Sequence, residues 1–262
     1  MLQTIIERIN ESDYVLVGVG EKFGYDWSLL EKDARYNELF EQISQYKSLE
    51  WLIPFLQKIA MDANRDERLT KAYEKLAEIT NGKNAFFVTT TIDDYIFNTT
   101  IPKERIVTPC GGFRKLQCEN ACTKELINVP NALLQYVQKL YNNMMSIDEM
   151  RDKYPECPDC GANLIFNQVG NPNYVEEGYL TGWGIYHKWL EMTMNKKITL
   201  LELGAGFGFM TVIRSPFEKL VEYNRKSIMY RIHPSLYMSA EGMEDRCISI
   251  SENPIDLFVG NR

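Results

Sequence analysis

The sequence predicts an α/β fold in which a mostly parallel β-sheet forms the core. Three observations lead to this prediction. Short, continuous apolar runs, of the kind found in strands covered on both faces, recur along the 262-residue chain. Segments with helical periodicity separate these runs, which favours crossover connections and a doubly wound, Rossmann-like sheet. Two close pairs of cysteines interrupt the alternation and add a small zinc-ribbon module to the predicted fold.

The first half of the chain supplies an opening helix, three predicted strands and a helical insert. A helix at 3–11 precedes the apolar run of 14–19, which is the first predicted strand. From 36 to 79 apolar residues recur at helical spacing, and Asn81-Gly82 ends that block. The next predicted strands are 85–88 and 105–108.

The second half of the chain continues the alternation. One helix is predicted at 131–145, between the cysteine pairs, and another at 186–194. Pro216 starts a helix that runs to residue 226, because proline is favoured in the first turn of a helix. The predicted strands of this half are 198–203, 228–232 and 247–250.

Composition and charge exclude several classes of protein. With 45% hydrophobic and 25% charged residues, the chain can bury a sizeable core. No apolar run approaches the roughly 18 residues of a membrane span, so we expect no membrane association. A net charge of −7 argues against unaided nucleic-acid binding. The segment 1–20 lacks the apolar run of a signal peptide, and we expect a soluble cytoplasmic protein.

Four of the six cysteines form two close pairs, Cys118 with Cys122 and Cys157 with Cys160, and the stretch 123–156 lies between the pairs. Such pairs turn four sulfurs toward one tetrahedral zinc ion. A proline and a glycine around the second pair give it the composition of a knuckle turn. The alternatives are four unrelated core thiols or a disulfide framework, and the absence of a signal-like run disfavours the framework.

Two glycine turns follow predicted strands, at the edge of a parallel sheet where ligands bind. The first, Gly18-Val19-Gly20, is typical of either a plain tight turn or a phosphate-binding loop. The second lies within 201–208 and reads like the first motif of a methyltransferase that uses S-adenosylmethionine. The stretch 209–262 that follows it is too short for the rest of such a sheet, so that function is a remote alternative.

The order of these motifs resembles that of the sirtuin family of NAD-dependent deacylases and ADP-ribosyltransferases. The matching stretches are Gly18-Val-Gly20, Thr89-Thr-Thr-Ile-Asp93, Pro109-Cys-Gly111, the paired cysteines, Leu203-Gly-Ala-Gly206 and Tyr230-Arg-Ile-His233. The resemblance covers nearly the whole chain. It is closest to the macrodomain-linked microbial branch, called class M, through the Leu-Glu-Leu-Gly-x-Gly strand and Ile213-Arg-Ser-Pro-Phe217.

This resemblance implies a set of cofactors, partners and site residues. NAD would lie across the two glycine turns, and the four paired cysteines would hold a structural zinc ion. Resemblance to class M implies ADP-ribosyl transfer to a lipoyl-carrier protein and a macrodomain partner. The implied contacts of NAD are Gly18, Gly20, Thr91, Asp93, Gly204, Ala205, Gly206 and His233.

The chain departs from the family at the positions that carry the chemistry. Cys110 stands where the family has a catalytic histidine, which acts as a general base, and Thr91 replaces an asparagine. The two histidines of the chain, His187 and His233, lie outside that motif. A cysteine is mostly a thiol at neutral pH unless a positive field lowers its pKa. Glu21 would place a negative charge near the pyrophosphate if its loop has the family geometry.

Three of these residues have a structural alternative. Cys110 can fill the space of a lost catalytic group, act as a nucleophile or base, or ligate a metal. Asp93 either accepts hydrogen bonds in a turn or contacts the nicotinamide side of NAD. His233 is either a surface residue or a contact of the adenosine ribose.

We therefore predict a single sirtuin-like unit over 1–262. Its core comprises 1–34, 84–117 and 166–262, with a helical insert at 35–83 and a zinc module at 118–165. The leading function is NAD-dependent protein ADP-ribosyl transfer, or deacylation, with altered catalytic positions. The alternative is a catalytically inactive protein that binds NAD or ADP-ribose.

Overall fold

The computed structural model describes residues 1–260. In chain order the helices are α1 (Leu2–Glu11), α2 (Ser28–Glu31), α3 (Ala34–Ser44), α4 (Leu52–Ala63), α5 (Glu67–Thr80), α6 (Asn131–Tyr141), α7 (Glu177–Met192), α8 (Arg214–Tyr223) and α9 (Pro254–Val259). The strands are β1 (Tyr14–Val19), β2 (Asn84–Thr89), β3 (Ile106–Val107), β4 (Gly111–Cys118), β5 (Ile127–Asn128), β6 (Leu164–Gln168), β7 (Ile198–Leu203), β8 (Ser227–Ile232) and β9 (Cys247–Ile250).

The chain divides into two compact units. The first, called the sheet unit, comprises Met1–Tyr25, Glu67–Cys110 and the chain from Tyr179 onward. The second, called the cysteine unit, comprises Asp26–Asp66 and Gly111–Gly178.

A six-stranded sheet with the order β3-β2-β1-β7-β8-β9 forms the centre of the sheet unit. Each neighbouring pair of strands is parallel. Every residue of β7 is buried, as expected for a strand covered by side chains on both faces. The predicted α/β class with a Rossmann-like parallel sheet is confirmed.

The strand order reverses between β1 and β7. From β1 the chain adds β2 and β3 on one side, and it later returns to add β7, β8 and β9 on the other. In open parallel sheets, ligands bind at such a point, beyond the carboxyl ends of the strands. The register pairs Val19 with Leu203, so the turns that follow these two strands emerge side by side.

Local sequence explains where helices of the sheet unit begin and which faces they bury. At the start of α9 the Asn253 side chain accepts a hydrogen bond from the Ile255 N–H, and Pro254 occupies the first helical position. Helix α1 buries Ile5 and Ile9, which lie one turn apart on its inner face. The core around the sheet includes the large side chains Phe86, Tyr186, Trp189 and Phe217.

The cysteine unit is built on a three-stranded antiparallel sheet with the order β5-β4-β6. Phe166 of β6 packs against Phe113 of β4 and Phe55 of α4, with ring centroids 4.9 Å and 4.6 Å apart. Asp33 caps the start of α3, because its carboxylate accepts hydrogen bonds from the N–H groups of Arg35 and Tyr36. The aromatic core supports the strands that lead into the cysteine pairs.

Several predicted elements have other limits in the structure. The helical stretch predicted at 36–79 consists of α3, α4 and α5, and α5 belongs to the sheet unit. Helix α7 begins at Glu177 rather than at the predicted residue 186. The prediction missed its first turns because Gly182 and Gly184 weaken the helical pattern of the sequence. The strands of the small sheet were not predicted, since β5 is short and β4 contains both glycines and charged residues.

The helices can also be compared with the requirements of a membrane span. Within residues 1–260, none of them combines the necessary length with the necessary apolar character.

Candidate functional site

The two predicted glycine turns are joined by backbone hydrogen bonds at the carboxyl edge of the large sheet. The N–H of Gly20 donates to the carbonyl of Leu203 over 2.8 Å, and the N–H of Lys22 donates to the carbonyl of Gly204 over 3.1 Å. These bonds link the turn after β1 to the turn after β7. We call this pair of turns the glycine clasp and define it as residues 18–22 and 203–206.

Close backbone approach explains the glycines of the clasp. A Cβ on Gly20 would lie 2.2 Å from the Cα of Ala205, which is far inside ordinary contact distance. Gly204 has a φ of +67°, a conformation that residues with a side chain rarely adopt. Gly18 serves packing instead, since a Cβ there would lie 2.5 Å from the Cγ2 of Ile213.

The carboxylate of Glu21 is hydrogen-bonded to the backbone amide at the end of the clasp. The N–H of Gly206 donates to Glu21 Oε2 over 3.1 Å. A Cβ on Gly206 would lie 1.8 Å from Glu21 Oε1, so the carboxylate fills the space directly beside that glycine. The negatively charged Glu21 side chain therefore accepts the hydrogen bond of an amide that could otherwise bind an anion.

The segment after β2 carries Thr91 and Asp93. The hydroxyl oxygens of Thr89 and Thr91 lie 2.9 Å apart, and Thr89 Oγ1 also accepts the Thr91 N–H over 3.1 Å. The two carboxylate oxygens of the buried Asp93 accept the N–H groups of Tyr25 and Tyr95, over 2.9 Å and 3.0 Å. Asp93 thus joins the segment after β2 to the loop after β1, which is the role of a turn acceptor.

The loop that follows the first glycine turn is held at several points. The hydroxyl of Tyr73 donates to the carbonyl of Phe23 over 3.3 Å. A Cβ on Gly24 would lie 3.0 Å from both Asp93 Oδ2 and Thr91 Cγ2. The backbone of residues 22–25 is therefore fixed against β2, β7 and α5.

His233 follows β8 and is buried rather than on the surface. Its Nδ1 accepts the N–H groups of Ser235 and Leu236, over 3.0 Å and 2.9 Å. Burial lowers the pKa of His233 below 6.5, although the charge of Glu21 opposes this effect. The ring is neutral at pH 7 and carries its proton on Nε2, which makes that atom a hydrogen-bond donor.

A buried ion cluster lies beneath the second glycine turn. Glu202 of β7 forms a two-point pair with Arg231 of β8, with Nε–Oε1 and Nη2–Oε2 distances of 2.8 Å each. Arg231 also reaches Glu218 over 2.8 Å, and Arg214 lies 3.4 Å from Glu202. Arg214 donates to the carbonyl of Ala205 over 3.0 Å, so the cluster supports the backbone of the clasp.

Cys110 lies in the turn after β3 and is 2% exposed. Burial raises the pKa of the Cys110 thiol to about 12. At neutral pH the side chain is therefore a thiol, which can donate a weak hydrogen bond but is not ionised for attack or for proton abstraction.

The four paired cysteines converge in the cysteine unit. Their sulfur atoms all lie within 4.8 Å of one another, with Cys118–Cys160 at 3.5 Å and Cys122–Cys157 at 3.6 Å. A tetrahedral zinc ion with Zn–S bonds of about 2.3 Å separates its ligands by roughly 3.8 Å, which fits this spacing. The cluster could therefore hold a structural zinc ion, as the sequence predicts.

Backbone geometry favours a thiolate at Cys118. Burial opposes ionisation of the Cys118 thiol, but hydrogen bonds from the N–H groups of Cys122 and Asn120 lower its pKa to about 7. In the second pair, Gly161 adopts a φ of +71°, and its N–H donates to the Cys157 carbonyl over 2.8 Å. This is the knuckle turn that the sequence predicts.

The structure brings most of the predicted NAD contacts to one edge of the sheet unit. The glycine turns, Thr91, Asp93 and His233 all follow the carboxyl ends of strands β1, β2, β7 and β8. Sequence reasoning missed the ion cluster around Glu202. A signal was present, because a glutamate within an apolar strand and an arginine within another require buried partners.

Comparison with known proteins gives two similar curated relatives, while no family model matches the chain. A protein ADP-ribosyltransferase of Staphylococcus aureus is 21% identical over 261 residues, which cover 94% of this chain and 82% of that protein. A probable bifunctional ADP-ribose hydrolase/ADP-ribosyltransferase of Fusarium oxysporum is 29% identical over 147 residues. That second match covers 53% of this chain and 24% of the relative, so it spans about a quarter of the longer protein.

Solved structures resemble the chain over nearly its whole length. A mutant Sir2 homologue in complex with 2′-O-acetyl ADP-ribose has a TM-score of 0.59 and 14% identity, over 98% of this chain and 94% of that one. Another mutant Sir2 homologue, in complex with ADP-ribose, has a TM-score of 0.57 at the same identity and coverage. Sir2Tm bound to a propionylated peptide has a TM-score of 0.54 and 12% identity, over 98% and 95% of the two chains. The architecture described above is therefore the fold of the Sir2, or sirtuin, structures.

Proposed function

We propose that this protein binds NAD at the glycine clasp and transfers the ADP-ribosyl group to a protein acceptor. The observation that carries the proposal is the clasp itself. Two glycine turns, on adjacent parallel strands, meet at the point where the strand order reverses. Glycine turns at this edge let backbone amides approach a diphosphate closely, which is how such sheets hold dinucleotides.

Names of similar proteins support the choice of reaction. Both curated relatives are named as ADP-ribosyltransferases, the second with an additional ADP-ribose hydrolase function. Two of the solved structures of the same fold are complexes with ADP-ribose or its acetylated form. The names of the curated relatives lead us to favour transfer over deacylation, whereas the complexes support only the binding of ADP-ribose. We further propose a branch similar to class M.

The proposed pose is the one that the resemblance implies, and the positions of these side chains at the carboxyl edge of the sheet support it. The diphosphate lies across the two turns, the adenosine ribose lies toward the Nε2–H of His233, and the nicotinamide end lies toward Thr91, Asp93 and Cys110. A lipoyl-carrier protein is the proposed acceptor, with a macrodomain protein as a further partner and the cytoplasm as the proposed location.

The proposed transfer breaks one bond and forms another at the same carbon. The bond between ribose C1′ and the nicotinamide nitrogen breaks, and nicotinamide leaves with the electron pair. A nucleophilic atom of the acceptor then bonds to C1′ and loses its proton. Because the Cys110 pKa is about 12, its thiol would hydrogen-bond and fill space in this reaction rather than remove that proton. The role of zinc is structural, since four thiolates leave no open position on the metal.

A second function is favoured by two specific observations. Cys110, at the position of the family's catalytic histidine, is an un-ionised thiol, and Thr91 stands where the family has an asparagine. Both features suit a catalytically inactive protein that binds NAD or ADP-ribose. The remote alternative, a methyltransferase, predicts binding of S-adenosylmethionine instead.

Nicotinamide release separates these functions. We expect the protein to release nicotinamide from NAD, measured by chromatography, and to do so faster with a lipoylated carrier protein. Calorimetry with NAD, ADP-ribose and S-adenosylmethionine is the parallel measurement. Binding of NAD without release of nicotinamide would support the catalytically inactive binding protein. If the protein bound neither NAD nor ADP-ribose, both the transferase and the inactive binding protein would be excluded.

The contribution of Cys110 is tested with a matched pair of variants. Cys247 is a second buried cysteine of the sheet unit, with a pKa that burial raises to about 11, and it belongs to the core. We expect Cys110→Ala to slow nicotinamide release and Cys247→Ala to leave it unchanged. If both variants release nicotinamide at the rate of the unaltered protein, Cys110 has no role in the mechanism.

A further inference from the structure

The Glu21 carboxylate is a feature that the proposed reaction does not use. We propose that it is an internal anion, which holds the phosphate-binding amide of the clasp until a diphosphate ligand displaces it. This inference rests on the proposed nucleotide binding. It adds that Glu21 sets the affinity for ligands with a diphosphate and the discrimination between charged and uncharged ligands. In this role Glu21 is a specificity-determining residue and not a catalytic one.

The contact geometry places the carboxylate where an anion would bind. Glu21 Oε2 accepts the Gly206 N–H over 3.1 Å, and Oε1 lies 1.8 Å from the position that a Gly206 Cβ would take. A side chain at 206 would therefore have to displace the end of the Glu21 side chain. A phosphate oxygen that used the same N–H would have to take the place of the carboxylate oxygen, since both need the same donor.

Backbone hydrogen bonds hold the residues on either side of Glu21, whereas its hydrogen-bonded side chain is exposed to solvent. The neighbouring Lys22 N–H is bound to the Gly204 carbonyl over 3.1 Å, and Gly20 is bound to Leu203 over 2.8 Å. Glu21 itself is an exposed residue. Rotation of its side chain into solvent therefore releases the amide without any opening of the clasp.

The charges around Glu21 do not remove its repulsion for a diphosphate. Arg214, a buried cation near the clasp, already forms an ion pair with Glu202 and donates hydrogen bonds to the carbonyls of Ala205 and Leu236. Lys22 follows Glu21 in the loop, and the two charges act on the pKa of His233 in opposite directions, since Glu21 raises it and Lys22 lowers it. A bound diphosphate would meet a carboxylate that must first leave its hydrogen-bond donor.

Two properties follow from this arrangement. Loss of the charge should increase affinity for ligands with a diphosphate, because no anion then competes for the amide. The same change should not affect adenosine, which shares the nucleoside but has no phosphate. Such selectivity distinguishes displacement of an anion from a general loosening of the site.

The test is calorimetry of ADP-ribose and adenosine binding to the whole chain. Glu21→Gln is the variant, and Glu11→Gln is the control, since it removes the same charge from an exposed position in the same unit. We expect Glu21→Gln to bind ADP-ribose about tenfold more tightly, which corresponds to ~1.4 kcal/mol. Glu11→Gln should match the unaltered protein, and adenosine affinity should be the same in all three.

A second readout is independent of nucleotide binding. In the ligand-free protein, the Gly206 amide proton should exchange with solvent faster in Glu21→Ala than in the unaltered chain, measured by NMR. Equal exchange rates, or equal ADP-ribose affinity of a binding-competent unaltered protein and Glu21→Gln, would overturn the role of Glu21 and leave nucleotide binding intact. If no variant binds ADP-ribose while the Gly206 amide does respond, the proposed nucleotide site is wrong, and the displacement falls with it.

Discussion

Substitution of Gly20 by alanine probes the contact on which the glycine clasp depends. The backbone of Gly20 is extended, with φ −100° and ψ −177°, so alanine can adopt its conformation. The obstacle is space, since the new Cβ would lie 2.2 Å from the Ala205 Cα and 2.5 Å from the Gly204 carbonyl oxygen. Ordinary carbon contacts lie at about 3.5–4.0 Å, so the two turns must separate by more than ~1 Å.

The expected magnitude follows from what that separation breaks. The clasp bonds of Gly20 and Lys22 both cross the gap that must widen. Overpacking of this kind costs roughly 1–3 kcal/mol, and the clash is with backbone, which cannot rotate away. We expect the free energy of unfolding to fall by about 2–3 kcal/mol, at the upper end of that range, and ADP-ribose affinity to fall with it.

Urea denaturation, followed by circular dichroism, measures the first effect, and calorimetry measures the second. Gly184→Ala is the matched control. Gly184 lies inside α7 with no atom within 4 Å of an added Cβ, so alanine should stabilise the protein by about 0.5–1 kcal/mol through helix propensity. The two substitutions should therefore have opposite signs. An unchanged unfolding midpoint for Gly20→Ala would refute the close approach of the two turns.

Three further predictions concern the ion cluster, His233 and the cysteine cluster. Glu202→Gln should lower the free energy of unfolding by about 3–5 kcal/mol, because it leaves Arg231 buried without its main partner, while Glu218→Gln should cost under about 1 kcal/mol in the same urea titration. Because burial lowers the pKa of His233 below 6.5, the unfolded chain takes up that proton at a higher pH than the folded protein does. Stability should therefore decrease as the pH falls below about 6.5, and His233→Asn should reduce the decrease. Elemental analysis should find one zinc per chain, and a chelator should lower the melting temperature; a metal-free protein with an unchanged melting temperature would argue against the zinc site.

The large sheet could be predicted because its strands are short apolar runs, two of which, β1 and β7, end in glycine turns. β1 and β7 have their predicted limits, since a charged residue precedes each apolar run and a glycine follows it. The cysteine spacing likewise located the four sulfurs that the structure brings together. In each case the information lies within a few adjacent residues.

Other features depend on contacts between distant segments. In the small sheet Phe166 packs against both Phe113 and Phe55, and no local pattern in β4 or β6 shows these contacts. The hydrogen bond between Glu21 and Gly206 joins residues 185 positions apart, so the sequence could show the charge but not its partner. The pKa of Cys110 depends on burial, which the residue type alone does not determine.

The position of β1 in the middle of the large sheet has a consequence for biosynthesis. β1 pairs with β2 on one side and with β7 on the other, and β7 is far from β1 along the chain, as the pairing of Tyr14 with Ile198 shows. While the chain is being made, β1 and β2 can pair early, but the other edge of β1 stays open until β7 emerges. An unpaired apolar edge favours association with other chains, so a chain truncated before residue 198 should aggregate rather than form half a sheet. The glycine clasp can close only after this late pairing, so a ligand held there would report that β7, at the start of the last quarter of the chain, has paired with β1.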